Sequence, residues 1–96
     1  MSYVNSYPAK SETVRWIDRK GETIVLEPKS GIYHRLNLTA SSIWQLCDGS
    51  RNVEEISKII ELRYSTKGIN TIKDVLSTVR YFKKTSIVEL RKDKNE

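Results

Sequence analysis

Chemistry-bearing residues are scarce in this chain. Cys47 and His34 are the only cysteine and the only histidine among 96 residues. An internal disulfide is thereby excluded, and no thiolate cluster is available for zinc or iron–sulfur. The patterns GxxxxGK(S/T), HExxH and GxGxxG are missing, so the nucleotide and zinc-hydrolase readings fail for want of residues. Long apolar runs are missing too: Ile24-Val25-Leu26 falls far short of the roughly 20 residues that a bilayer requires. Met1 to Lys10 shows no basic start followed by an apolar stretch, so no secretory signal is visible. The resulting expectation is a cytoplasmic, non-catalytic protein with no cofactor, no metal and no membrane partner.

What remains is a mixture of 38% hydrophobic and 30% charged residues, too apolar for a disordered chain and too polar for a membrane protein. At this length one core is expected, burying roughly 60 to 65% of the unfolded surface. The formal charge of +5 favours an anionic partner, whether nucleic acid, a membrane surface or an acidic peptide. Much of the excess sits in Arg91, Lys92 and Lys94 and between Lys73 and Lys84, so a solvated tail accounts for part of it.

Residues 1–12 have no period and read as a flexible arm or irregular lead-in. Residues 13–90 read as one domain and 91–96 as a charged tail. Alternation of Val14 and Trp16 with Thr13 and Arg15 predicts a strand over Thr13 to Asp18. A turn at Arg19 to Gly21 leads into a second strand, Glu22 to Glu27. Pro28 to Gly31 turns the chain into a third, Ile32 to Leu36, completing an antiparallel meander.

Asn37 or Thr39 caps a first helix that buries Ala40, Ile43, Trp44 and Cys47 on one face, and Asp48-Gly49 is read as its stop. Asn52 caps a second helix with the stripe Val53, Ile56, Ile60 and Tyr64. After a connection over Ser65 to Asn70, Thr71 opens a third helix, with Asp74 placed for an approximate capping box. Its apolar arc is Ile72, Val75, Leu76, Val79 and Phe82; Lys73, Arg80 and Lys84 run beside the Leu76 edge. Ile87 to Leu90 is a final packed segment or short strand. The fold class is therefore α+β, a three-stranded antiparallel meander followed by three helices, of winged helix-turn-helix type.

Cys47 with His34 is the only pair that would suggest a nucleophile and base, and the position of Cys47 on an apolar helix face favours a buried structural thiol. His34 lines a groove or faces solvent from its strand. Trp44 reads as core, whereas Trp16 is free to meet a partner. Glu54, Glu55 and Glu61 lie on the outer side of the second helix with no companion groups for acid–base or metal chemistry.

The stretch from Gly31 to Ile56 (GIYHRLNLTASSIWQLCDGSRNVEEI), with Val25-Leu26 before it, resembles the PqqD-like family, and Leu46-Cys47-Asp48-Gly49-Ser50-Arg51 followed by Val53 looks especially like its pyrroloquinoline-quinone branch. The likeness covers roughly Val14 to Leu90. It departs at Thr85-Ser86, where many relatives carry glycine. The resemblance implies a RiPP recognition element, a domain that captures the leader of a ribosomally made precursor peptide and presents it to a modifying enzyme. That enzyme would be a radical S-adenosylmethionine enzyme or a lasso-peptide leader protease. The leader would join the sheet beside the third strand and lie on the third helix. The expected groove is Ile32, Tyr33, His34, Arg35 and Leu36 from the strand, with Leu76, Val79, Arg80, Lys83 and Lys84 from the helix. An unpaired strand edge offers a row of N–H and C=O groups to an extended peptide, and equally to a second copy, so a homodimer is an alternative occupant. The runner-up function is winged-helix DNA binding, weakened because Asp74 in the first turn of the third helix would face phosphates badly, and no nucleic-acid partner is expected.

Overall fold

The computed structural model of the chain describes residues 3–64 and 71–94. Eight elements follow in order: β1 (Tyr7–Lys10), β2 (Arg15–Arg19), β3 (Glu22–Glu27), β4 (Ile32–Leu36), α1 (Leu38–Gln45), α2 (Val53–Tyr64), α3 (Thr71–Lys84) and β5 (Val88–Arg91). β2, β3 and β4 form the expected antiparallel meander in that spatial order. The predicted connection over Ser65 to Asn70 lies outside the described residues.

Hairpin chemistry fixes the meander. Lys20 and Gly21 both have positive φ, 47° and 83°, the primed geometry whose twist suits a tight hairpin. At the next turn Gly31 has φ 72°. There Glu27 is inward-facing and its carboxylate accepts from the Lys29 N–H at 2.7 Å and the Ser30 N–H at 3.1 Å. The Lys29 N–H is the chief reason its carboxyl lies below the ordinary range.

The two periods of the chain then meet in one core. Thr23 and Val25 of β3 and His34 and Leu36 of β4 point inward, as register pairs Val25 with His34 and Thr23 with Leu36. Ile43, Trp44 and Cys47 from α1 and its end, Val53, Ile56 and Ile60 from α2, and Val75, Val79 and Phe82 from α3 complete the core. Asn37 Oδ1 accepts from the Ala40 N–H at 2.9 Å and caps α1. α2 opens with a reciprocal box in which the Glu55 N–H donates to Asn52 Oδ1 and the Asn52 N–H to Glu55 Oε1.

Three features differ from the sequence reading. The expected irregular lead-in contains a strand: β1 pairs antiparallel with β5 in a second, two-stranded sheet. Ser6 to Ser11 are tied on both sides, since Lys10 N–H donates to Cys47 O at 3.0 Å and Ser11 N–H to Ile87 O at 3.0 Å. This pairing joins residues some eighty positions apart, which no local pattern reveals. Second, the first strand begins at Arg15 instead of Thr13, and Val14 is buried just before it. Third, Gly49 is not the stop of α1. The helix ends at Leu46, and Gly49, with φ 82°, sits further on and donates its N–H to Pro8 O at 2.9 Å. Its glycine character serves the seam with β1.

The stop of α3 shows what Thr85-Ser86 does in place of glycine. Ser86 N–H donates to Lys83 O and Ile87 N–H to Phe82 O, both at 3.0 Å, the paired bonds of a Schellman turn. Ser86 takes the left-handed position, φ 65°, and Ile87 packs in the core beside Phe82. An L side chain there costs about 1 kcal/mol relative to glycine. Ser86→Gly is expected to raise the thermal midpoint by about 4 to 8 °C, read by circular dichroism, with no change in fold.

Candidate functional site

β4 is the terminal strand of the meander, and its outer edge is unpaired among the described residues. Beside that edge a pocket of about 360 Å³ opens between β4, the start of α1 and α3, lined by Arg35, Leu36, Asn37, Ser77, Thr78 and Tyr81 among others. The gap between strand and helix is bridged by one polar link: His34 Nδ1 and the Tyr81 hydroxyl share a hydrogen bond at 2.9 Å, with the rings edge to face at 5.9 Å. Tyr81 is 47% exposed, so it offers a hydroxyl and a ring edge to anything laid in the groove. A strand edge, an apolar floor from Leu36 and Phe82, and hydroxyls on the facing helix together suit an extended peptide: backbone pairing on one side, small pockets on the other.

The structure sorts the sequence-predicted residues. On β4, Ile32 and Tyr33 are exposed at 53% and 69%. Their partners across the hairpin, Glu27 and Leu26, show that they point to opposite faces of the sheet. Arg35 is exposed and pairs with Glu22 at 3.3 Å, a contact worth little in solvent. His34 and Leu36 are buried. His34 therefore meets Tyr81 instead of facing solvent, the alternative left open above. On α3, Val79 is wholly buried and Leu76 partly so, against the core.

Arg80, Lys83 and Lys84 gather with Tyr3 in a separate pocket of about 340 Å³, the Arg80 guanidinium lying 5.8 Å from the Tyr3 ring centre. At ~100° per residue, Thr78 and Tyr81 occupy one flank of the buried line Val75–Val79–Phe82, and Leu76, Arg80 and Lys83 the other. The structure thus brings β4 together with Ser77, Thr78 and Tyr81, and it does not bring β4 together with the basic cluster. Tyr81 was missed by the sequence reading. Its signal was available: an inward-facing histidine at the strand position two before Leu36 needs a polar partner on whatever packs over it.

Cys47 is fully buried and donates from Sγ to Ile43 O at 3.2 Å. Burial pushes its thiol up to about 12, the reverse of an activated nucleophile. Folding keeps the proton on, so this contribution to stability is complete below about pH 9 and is lost as pH rises toward 12. At pH 8 a thiol reagent is expected to label the native chain at least about 100-fold more slowly than the chain in denaturant, because both thiolate fraction and access fall. Equal rates would remove Cys47 from the core. Among the described residues no group of three His, Cys, Asp or Glu side chains is placed to hold a metal ion, and no helix is long and apolar enough to cross a membrane.

Lys10 anchors the back of the site. Its ammonium donates to Cys47 O at 3.2 Å and lies 5.4 Å from the Trp44 ring centre and 5.8 Å from that of Trp16. Trp16 is partly exposed yet packs edge-on against Trp44 at 5.7 Å. β1, β2 and α1 are thereby held in one block behind the strand that carries the open edge.

Comparison with known proteins agrees with this architecture. No curated protein matches the chain by sequence. TbiB1, solved in complex with the TbiA(beta) leader peptide, superposes with a TM-score of 0.76 at 25% identity, over 84% of this chain and 94% of that one. The solution structure of the PqqD truncation of Methylobacterium extorquens PqqCD, a stand-alone RiPP recognition element, superposes with a TM-score of 0.71 at 20% identity, over 92% and 93%. The family model for coenzyme PQQ synthesis protein D (PqqD) matches residues 22–88, from the first residue of β3 to the first of β5. The chain belongs to the PqqD family.

Proposed function

We propose that the chain is a non-catalytic recognition element that binds the leader segment of a ribosomally made precursor peptide and delivers it to a modifying enzyme. The observation that carries this reading is the unpaired edge of β4 beside the pocket at Ser77, Thr78 and Tyr81. Similarity to TbiB1, which was solved with a leader peptide, supports it. The leader adds as a fourth strand along Ile32 to Leu36 and lies against α3. In this arrangement the meander and α3 stand to one another as wing and helix in a winged helix-turn-helix.

Energetics allow it. About four ladder bonds at roughly 0.5 to 1.5 kcal/mol, plus two apolar anchors at roughly 1.5 to 3 each, offset the ordering of a flexible peptide and leave about micromolar binding or tighter. Of the helix residues singled out in the sequence, Val79 supports the floor from beneath. Leu76, Arg80, Lys83 and Lys84 take the flank of the leader beyond the paired strand, where cations govern association rate and register more than affinity. The enzyme is a radical S-adenosylmethionine enzyme of pyrroloquinoline-quinone type or a lasso-peptide leader protease.

Fluorescence titration of the labelled leader from the precursor of its own pathway, run beside a gel shift with duplex DNA, tests the reading. Saturable leader binding in the micromolar range or tighter is expected, with no retarded duplex. Retarded duplex with no leader binding would transfer the function to DNA.

A further inference from the structure

The groove uses the edge of the meander and its inner face packs on the helices, which leaves the outer face without a cover. Register places Ile17 opposite Ile24 and Leu26 opposite Tyr33 on that face. No helix or strand among the described residues packs over it. Ile17 is 56% exposed and Tyr33 69%, while Ile24 and Leu26 are half-buried by their neighbours. Around this apolar strip stand Arg15, Arg19, Lys20 and Arg35, and the carboxylate among them, Glu22, is held by Arg35 at 3.3 Å. Arg19, Lys20 and Arg35 also share a recess of about 320 Å³ with Ile24.

We infer that this outer face is a second docking surface, for an acidic amphipathic helix presented by a partner protein. Charge selects the occupant. Two copies of this face would bring four cations against four, so self-association through it is disfavoured. Nucleic acid would satisfy the arginines but not the aliphatic centre, where Tyr33 alone offers a ring for stacking. A helix is the natural cover: three strands spaced at about 4.8 Å present a strip about 10 Å wide, the diameter of one helix. An apolar stripe flanked by glutamates then completes both halves of the surface.

This inference rests on the peptide-carrier reading, in which the partner is the enzyme that receives the precursor. Groove and face share Arg35 and, through the backbone of β4, Tyr33; the leader pairs with the edge of that strand and the partner covers its outward side chains, so leader and partner bind together.

The test is a titration of the 15N-labelled full chain with a synthetic amphipathic helix carrying a leucine stripe flanked by glutamates. The same helix with lysines for glutamates, a single-stranded oligonucleotide and phosphatidylglycerol vesicles run in parallel. Amide shifts at Ile17, Ile24, Leu26 and Tyr33 are expected with the glutamate helix alone. The double variant Arg15→Glu/Arg19→Glu should weaken that binding by about tenfold or more. The same variant should bind the leader as the wild type does, yet fail to support precursor modification by the tailoring enzyme. No shifts on this face, equal binding of the lysine helix, preferential binding of oligonucleotide or vesicles, or undiminished modification by the variant would each overturn the inference. Leader affinity measured on the same sample reads the groove separately, so a chain that binds the helix but not the leader counts against the carrier function alone.

Discussion

Trp44→Ala is expected to cost about 3 to 5 kcal/mol, a large share of the stability of a domain this size. The indole is fully buried and is the point where four elements meet. Trp16 of β2 packs edge-on to it at 5.7 Å and Phe82 of α3 at 5.8 Å, while Lys10 of β1 lies over the ring. Removing it empties the centre of a core that, at about 0.05 to 0.15 kcal/mol per residue, supports roughly 5 to 14 kcal/mol in all. Relaxation would have to draw three elements inward together, so the cavity stays largely open. Trp44→Phe is expected to cost much less, because the buried indole Nε1 has no hydrogen-bond partner among the described residues and its removal relieves an unmet donor. Urea unfolding of the two variants checks the pair, and equal losses would contradict the account.

The second large effect concerns binding with stability kept. Thr78 is half-buried on the flank of α3 that shares a pocket with Leu36 and Tyr81. Thr78→Trp fills that pocket from the helix side, over its Leu36 and Phe82 floor, and replaces no residue of the buried line Val75–Val79–Phe82. Losing one apolar anchor and the space for the added strand removes about 2 to 3 kcal/mol of binding, a weakening of about 30- to 150-fold. Anisotropy with the labelled leader reads this, and a melting curve within a few degrees of the wild type separates it from unfolding. A folded variant that binds leader normally would move the peptide away from this pocket.

Much of this was written locally in the chain. The strand β3, with its continuous apolar centre, the caps at Asn37 and Asn52 and the stripe Val53, Ile56, Ile60 all follow from short-range spacing and appear as expected. What escaped depends on contacts remote in sequence. β1 carries Pro8 and little apolar alternation, and it becomes a strand only because β5 and the carbonyl of Cys47 meet it. Helical spacing identifies the buried arc of α3 but leaves its two flanks equivalent. Leu76 and the neighbouring cations drew the expected groove to one flank, and tertiary packing set the other against β4. The choice is made by how α3 crosses the sheet, which a helical wheel does not contain.

The central claim, that the β4 edge receives a foreign strand, is tested most directly by amide hydrogen exchange with and without the leader. The account predicts that leader adds protection within Ile32 to Leu36, alternating residue by residue as the outward-pointing N–H groups gain partners, while β2 exchanges unchanged. Protection appearing along Arg15 to Arg19, or an unaltered β4, would contradict it.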